Sequence, residues 1–117
     1  MDPITGLAYG RIAVGTLSLL SPKLAARAFL LNPETNPQVS YVTRLFGSRE
    51  VALGAITLAS SGAARERMIQ LGIAVDGADI VTGVAAASTG TVPKRAGVLM
   101  ALVAAGAVAT GVLDLTD

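Results

Sequence analysis

The sequence predicts an all-α fold, a four-helix transmembrane bundle with a short interfacial helix after the first span. Composition is the first observation behind this prediction: the 117 residues are 52% hydrophobic and 15% charged, whereas ordinary soluble domains are about 25% charged. The second observation is that the apolar residues fall into four stretches, at 4–20, 41–60, 68–88 and 96–113. Each is close to the roughly 20 residues that cross a hydrocarbon core. Residues 1–117 are therefore expected to form a single integral membrane domain.

The first span, residues 4–20, ends at a serine-proline pair, and the chain that follows is too long for a tight turn. Within this connection, residues 23–31 place leucine and phenylalanine on one side and two basic residues four positions apart. That pattern is typical of a short helix lying in the membrane interface. Asn32-Pro33 is expected to end this helix, and an ordered loop is the alternative.

The second and third spans contain ionisable residues and are separated by the polar joint GAARER, residues 62–67. The fourth span, residues 96–113, contains no charged residue. A soluble helix of this length needs a polar face toward water, and the fourth stretch has none. A soluble helical bundle with an alanine-rich core is therefore the less favoured alternative.

Basic residues are unevenly divided between the two sides of the membrane in this topology. The first and third connections share one side and contain four basic residues, whereas the other side has Arg65 and Arg67 together with the acidic termini. Because cytoplasmic loops are enriched in lysine and arginine, we expect a multi-pass protein of the plasma membrane with both termini outside.

Three spans share one local pattern, a charged residue four positions before a glycine. The pairs are Arg11 and Gly15, Glu50 and Gly54, and Asp79 and Gly83. Positions i and i+4 lie on the same helix face, so each span has a polar stripe along one side. In the first span this stripe comprises Ala8, Arg11, Gly15 and Ser18, and in the second it comprises Thr43, Gly47, Glu50, Gly54, Thr57 and Ser61. In the third span it comprises Gly72, Asp76, Asp79, Gly83, Ala86 and Gly90.

Small residues and polar contacts hold transmembrane helices together, because apolar side chains gain little by leaving lipid for one another. We therefore expect the glycines to pack helix against helix: Gly15, Gly47, Gly54, Gly72 and Gly83. An unpaired ion inside a membrane costs at least a few kcal/mol, so the charged residues are expected to pair. The predicted intramembrane ion network comprises Arg11, Arg44, Arg49, Glu50, Asp76 and Asp79.

Two interpretations of this ion network remain open. In the structural interpretation, the ions and glycines fix the register of short, weakly hydrophobic helices. In the functional interpretation, the acids line a proton, cation or ligand path, as intramembrane ionisable residues often do. Three positive and three negative members can pair completely, which leaves no carboxylate free to titrate and favours the structural role. Fewer ions could hold four helices together, so the number of charged residues favours the functional role.

Several classes of function are excluded or disfavoured by composition. The chain has no cysteine, histidine or tryptophan, which excludes disulfides, Cys/His zinc sites, histidine-ligated haem and catalytic triads that need imidazole or thiolate. The net charge of +1 does not indicate the basic surface that nucleic-acid-binding proteins carry. We expect no metal site, because arginines lie beside the acids, and no cofactor. An enzyme is the least favoured class, since only carboxylate or arginine chemistry remains.

The second span also supports a resemblance. The segment Arg44-Leu45-Phe46-Gly47-Ser48-Arg49-Glu50-Val51-Ala52-Leu53-Gly54 resembles an uncharacterised family of small four-span bacterial membrane proteins, frequent in actinobacteria, with the core R-x-F-G-x-R-E-x-x-x-G. A more distant likeness is to DoxX-type four-helix membrane proteins, some of which are linked to membrane oxidoreductase systems. The first resemblance implies the four-span architecture and no particular activity.

Three functions follow as hypotheses. The first is a non-enzymatic accessory or assembly subunit of a larger membrane complex, favoured by small size, minimal loops and an Ala/Gly-rich fourth helix. The second is a small homo-oligomeric transporter or channel that uses the carboxylates. The third is a membrane protein that binds a lipid or quinone beside the Arg/Asp cluster. The expected partners are the bilayer and another membrane protein or further copies of the chain.

Overall fold

The computed structural model describes all 117 residues as five α-helices without β-strands. The helices are α1 (Pro3–Leu20), α2 (Pro22–Ala28), α3 (Gln38–Ala59), α4 (Gly62–Thr89) and α5 (Lys94–Thr116). The prediction of an all-α fold is confirmed. By length and composition, the two helices α4 and α5 are long and apolar enough to cross a membrane. The four-span arrangement stays a prediction.

Two predicted helix boundaries are wrong. Helix α4 begins at Gly62, so Arg65, Glu66 and Arg67, which were expected to form a joint, lie in its first turns. The physical reason is that alanine, arginine and glutamate are strong helix formers and no proline interrupts them. The joint between α3 and α4 is therefore only Ser60 and Ser61.

Helix α2 lies in the connection where a short helix is predicted. It ends at Ala28, well before the Asn32-Pro33 pair that is expected to end it. Leu30 adopts a left-handed conformation with φ 65°. The N–H of Leu31 donates to the carbonyl of Ala26 and that of Leu30 to the carbonyl of Arg27. These two bonds form a Schellman closure, so a local backbone turn ends this helix.

Helices α1 and α3 pack as an antiparallel pair with glycine at the crossing. A Cβ atom placed on Gly15 would lie 2.7 Å from the carbonyl oxygen of Gly47, and one on Gly47 would lie 2.7 Å from that of Gly15. Further along, a Cβ on Gly54 would lie 2.6 Å from the carbonyl oxygen of Ala8. The two backbones are therefore in direct contact over a length that only glycine permits.

Helices α4 and α5 form a second antiparallel pair. A Cβ atom on Gly83 would lie 2.9 Å from the carbonyl oxygen of Gly97. At the other end, a Cβ on Gly111 would lie 2.8 Å from Cγ1 of Ile73. The fold thus consists of two tightly packed helix pairs, with α2 resting on the first through buried Ala25 and Ala26.

Many large apolar side chains lie on the outer surface of the molecule and few are buried. The buried residues of α1 after Ile4 are Ala8, Arg11, Gly15 and Ser18, which is the stripe predicted for the first span. Large apolar side chains instead point outward on all four long helices, among them Leu17, Ile56, Val81, Leu102 and Leu113. The largest fully buried side chain in the protein is Ser18. The interior therefore consists mostly of small residues, with the charged side chains of Arg11, Glu50 and Asp76 and three large aliphatic residues, Ile4, Leu53 and Ile69.

Candidate functional site

Arg11 lies at the centre of the molecule between two carboxylates from different helices. Its Nη1 is 3.1 Å from Oε2 of Glu50 on α3 and 3.2 Å from Oδ1 of Asp76 on α4. A second hydrogen bond joins Nη2 of Arg11 to Oδ2 of Asp76. All three side chains are less than one-tenth exposed. Arg11 therefore links the α1/α3 pair to the α4/α5 pair through a buried ion triad.

Gly72 has a different role from the other predicted packing glycines. A Cβ atom at this position would lie 3.1 Å from Nη2 of Arg11, and no other heavy atom would lie within 4 Å. Gly72 thus leaves room for the guanidinium on the face of α4, whereas Gly15, Gly47, Gly54 and Gly83 lie at backbone crossings.

A second ion pair lies beside the triad and connects the same two helix pairs. Nη1 and Nη2 of Arg49 donate to the two carboxylate oxygens of Asp79 at 3.1 and 2.7 Å, in the bidentate geometry that favours strong pairing. The Arg49 guanidinium also lies 5.1 Å from the centre of the Phe46 ring, which is within cation–π range. The Arg49 side chain is 35% exposed, so this pair is more accessible than the triad.

Arg44 lies apart from these ion pairs, although it was predicted to belong to the network. Its Nε donates to the carbonyl oxygen of Leu19 at 3.3 Å, and the residue is exposed. At 100° per residue, Arg44 and Arg49 lie on opposite sides of Glu50: Arg49 faces Asp79 of α4, whereas Arg44 contacts a backbone carbonyl of α1. The remaining cluster contains two arginines and three carboxylates, a formal net charge of −1.

A cleft of about 510 Å³ separates the two helix pairs on one side of the ion pairs. Helices α2 and α3 contribute one wall and helices α4 and α5 the other. The lining is largely apolar and includes Phe29, Phe46, Ala86, Val92 and Met100. Arg49 and Asp79 also line it. The volume is in the range of pockets that hold one small organic ligand.

Two phenylalanines fix the shape of one cleft wall. The rings of Phe29, at the end of α2, and Phe46, on α3, are 5.9 Å apart and meet edge to face at 77°. This contact anchors α2 against α3 and places Phe46 beside the Arg49 guanidinium. The wall is therefore a continuous surface of two aromatic rings and one delocalised cation.

A much smaller cavity lies on the opposite side of the triad. Its volume is about 20 Å³, and Arg11, Leu53, Ile69 and Gly111 are among its lining residues. This is enough space for about one water molecule. The charged cluster thus lies between a large cleft and a small cavity.

Ion pairs also close the end of the bundle at which both termini meet. Arg65 on α4 donates to Asp2 at 3.0 Å and to Asp114 at 3.3 Å. Asp2 caps α1 as well, because its carboxylate accepts from the backbone N–H of Thr5 at 2.9 Å. That backbone hydrogen bond is the main reason why the pKa of Asp2 lies below its ordinary value, and a hydrogen bond from the Thr5 hydroxyl is the second.

Sequence reasoning missed the glycines of α5 and the cleft. The buried residues of α5 are Ala96, Gly97, Ala104 and Gly111, and its two buried glycines pack against α4. Gly97, Ala104 and Gly111 lie in one stripe. Their spacing of seven residues is the repeat of a helix-packing stripe and could have identified them. The cleft had no such signal, because its walls come from four separate segments of the chain.

Comparison of the chain with protein-family models, with curated proteins and with solved structures finds no match. The resemblance to small four-span membrane proteins therefore stays a prediction.

Proposed function

We propose that the chain is a four-span integral membrane protein that binds an amphipathic ligand of the lipid or quinone class in the cleft between its helix pairs. The observation that supports the proposal best is the cleft itself: about 510 Å³, lined mostly by apolar side chains, with the Arg49–Asp79 pair in its wall. Ligand sites combine a large apolar surface with a few fixed polar groups in this way.

The outward apolar surface supports placement in a bilayer. Leu20, Tyr41, Val81, Leu102 and Leu113 are each more than half exposed. Soluble monomers rarely expose contiguous apolar patches beyond a few hundred Å². The interior instead holds an arginine and two carboxylates, the arrangement expected where ionisable side chains must turn away from lipid. All four long helices expose large apolar side chains, and α1, α3 and α4 each bury one ionisable side chain.

The position of the cleft also supports ligand entry from the bilayer. Val42 and Leu45 on α3 and Thr82 on α4 are lining residues that remain exposed. They flank an opening between α3 and α4 on the apolar outer surface. A ligand dissolved in the membrane could reach the cleft without crossing water.

The polar groups of the cleft suit an amphipathic molecule. Arg49 uses both terminal nitrogens on Asp79, and its Nε is buried with no hydrogen-bond partner. An unpaired buried donor costs about 1–3 kcal/mol. The Arg49 side chain as a whole is 35% exposed, so a ligand oxygen in the cleft can contact the accessible part of the guanidinium, which also lies against the Phe46 ring.

A matched pair of substitutions tests ligand binding. Ala86 lines the cleft and Ala85 is exposed on the outer face of the same helix. Ala86→Phe is expected to fill the cleft, whereas Ala85→Phe adds the same ring toward the membrane. The chain would be purified from native membranes in mild detergent, and its bound small molecules would be extracted and measured by mass spectrometry.

We expect the unsubstituted chain and Ala85→Phe to retain one small molecule in stoichiometric amount and Ala86→Phe to lose it. Arg49→Ala is expected to weaken binding of the same molecule. Equal ligand content in Ala86→Phe and Ala85→Phe, with both variants folded by circular dichroism, would contradict the proposal.

A proton or monovalent cation pathway is the second candidate. It is favoured by the excess carboxylate of the cluster, which Arg44 does not balance. The large cleft and the small cavity lie on opposite sides of the cluster, so the pathway would run from one to the other past the carboxylates. Asp76→Asn removes the excess charge, so loss of ion flux into proteoliposomes from a variant that keeps its helix content would support a pathway. Retained flux would contradict it.

The accessory-subunit hypothesis rests on the outer face of α5. Leu102, Ala105, Gly106, Ala109 and Leu113 are exposed there in a single stripe, and small residues in such a stripe favour close helix packing. Mass spectrometry of proteins that co-purify from native membranes tests it. A stoichiometric partner would support the accessory role, and recovery of the chain alone would contradict it.

A further inference from the structure

The charged side chains outside the central cluster are divided unequally between the two ends of the molecule. At the end where α5 begins, here called the basic end, there are five basic side chains and one acidic side chain, a net of +4. The basic ones are Lys23, Arg27, Arg44, Lys94 and Arg95, and the acidic one is Glu34. The end with both chain termini has two basic and four acidic side chains.

Most of the positive charge at the basic end is free. Glu34 pairs with Arg27, whereas Lys23, Lys94 and Arg95 are exposed and have no carboxylate partner. The charge at the opposite end is different, because Arg65 there is engaged by two aspartates. The basic end therefore presents available cations to the membrane surface.

The cleft lies in the half of the molecule that faces the basic end. Its walls come from α2, the first turns of α3, the last turns of α4 and the first turn of α5. Val92, Ala96 and Gly97 line it, and Lys94 and Arg95 lie between them in the chain. Exposed basic residues at the basic end are therefore next in the chain to residues that line the cleft.

We infer that the ligand of the cleft is an anionic phospholipid, whose phosphate is bound at the basic end and whose acyl chain occupies the cleft. The inference rests on the proposed function and specifies its ligand. Basic pockets between transmembrane helices on the cytoplasmic side bind lipids of this charge. A neutral quinone has no anion to pair with the free cations, and in a zwitterionic lipid the headgroup cation offsets the phosphate, so an anionic lipid complements this charge best.

The test compares two lipids with identical acyl chains. The purified full-length chain in mild detergent is titrated with dioleoylphosphatidylglycerol, which is anionic, or dioleoylphosphatidylcholine, which is zwitterionic. Bound lipid is counted by native mass spectrometry. We expect saturable binding of one phosphatidylglycerol with an affinity at least roughly 25-fold above that of phosphatidylcholine, since each free basic side chain contributes about fivefold. Glycerophosphoglycerol, the headgroup without acyl chains, is expected not to compete, which separates a lipid site from a site for free phosphate.

Substitutions then locate the headgroup. Each basic side chain near an anionic lipid contributes roughly a fivefold factor in affinity, so Lys94→Gln with Arg95→Gln should weaken phosphatidylglycerol binding by roughly 25-fold and leave phosphatidylcholine unchanged. Arg67→Gln, which removes an exposed basic residue from the opposite end, is the control and should change neither affinity.

Each outcome separates this inference from the proposed function. Equal binding of both lipids, with loss of both in Ala86→Phe, would overturn the anionic ligand and retain the binding cleft. The same follows if decylubiquinone binds saturably and phosphatidylglycerol does not. No saturable binding of any of the three would overturn both proposals.

Discussion

Replacing Gly47 with alanine is expected to destabilise the α1/α3 pair. The new methyl group would lie 2.7 Å from the carbonyl oxygen of Gly15 and 2.9 Å from Cβ of Ser18. A relaxed carbon–oxygen contact is about 3.3 Å or longer, so the helices must separate by roughly 0.6 Å. The obstructing atom is backbone and cannot rotate away. Overpacking of this kind costs about 1–3 kcal/mol.

Gly10→Ala is the matched control, because a Cβ atom there would have no neighbour within 4 Å. Both substitutions gain the helix propensity of alanine over glycine, about 1 kcal/mol, so the difference between them isolates the steric cost. We expect Gly47→Ala to be less stable than Gly10→Ala by about 1–3 kcal/mol. The measurement is SDS-driven unfolding in mixed micelles, followed by far-UV circular dichroism. Equal stability of the two variants would show that α1 and α3 do not cross at this distance.

Three further predictions concern other contacts. Gly97→Ala should destabilise the α4/α5 pair by about 1–3 kcal/mol relative to Gly106→Ala. A Cβ atom on Gly97 would lie 2.5 Å from the carbonyl oxygen of Gly83, whereas one on Gly106 would have no neighbour within 4 Å. The same SDS titration measures this difference, and equal unfolding midpoints would contradict the prediction. Arg11→Met leaves two buried carboxylates without their cation and should lower the free energy of unfolding by about 3–5 kcal/mol. We expect the variant to unfold at a low SDS concentration. A variant as stable as the unsubstituted chain would show that the triad is not buried. Asp2 has a depressed pKa through its hydrogen bonds from Thr5, so its contribution is complete above its ordinary pKa of 3.8 and is lost as pH falls through the lower folded value. The thermal midpoint should therefore decline below about pH 4, and less steeply in Asp2→Asn; identical pH profiles would contradict this.

Helical periodicity made the polar stripe of α1 predictable. Positions three and four residues apart share a face in any α-helix, so Ala8, Arg11, Gly15 and Ser18 had to lie together whatever the tertiary structure. The same argument placed Thr43, Gly47, Glu50 and Gly54 on the buried face of α3. It failed at Ser61, which was assigned to the same stripe but is exposed beyond the end of α3, because the periodicity applies only while the helix continues.

The choice of ionic partners was less predictable. The sequence offered three arginines and three carboxylates, and pairing all six was the simplest expectation. The structure brings five of them together and leaves Arg44 on a backbone carbonyl. A rotation angle shows which face a residue occupies, whereas a salt bridge also needs a carboxylate oxygen of another helix within about 4 Å of the cationic nitrogen. That second condition depends on how the helices cross.

By itself, the sequence determined the all-α class, the approximate course of the long helices and which face of α1 and α3 is buried. These properties depend on composition and on the 3.6-residue repeat, which are local. Only the tertiary structure decided that α1 pairs with α3 and α4 with α5, and that the two pairs separate to form a cleft. The physical reason is that Gly15–Gly47 and Gly83–Gly97 bring backbones into contact within each pair, whereas the two pairs are joined mainly through the long side chains of Arg11 and Arg49. Such distances arise between segments remote in the chain, and no local pattern encodes them.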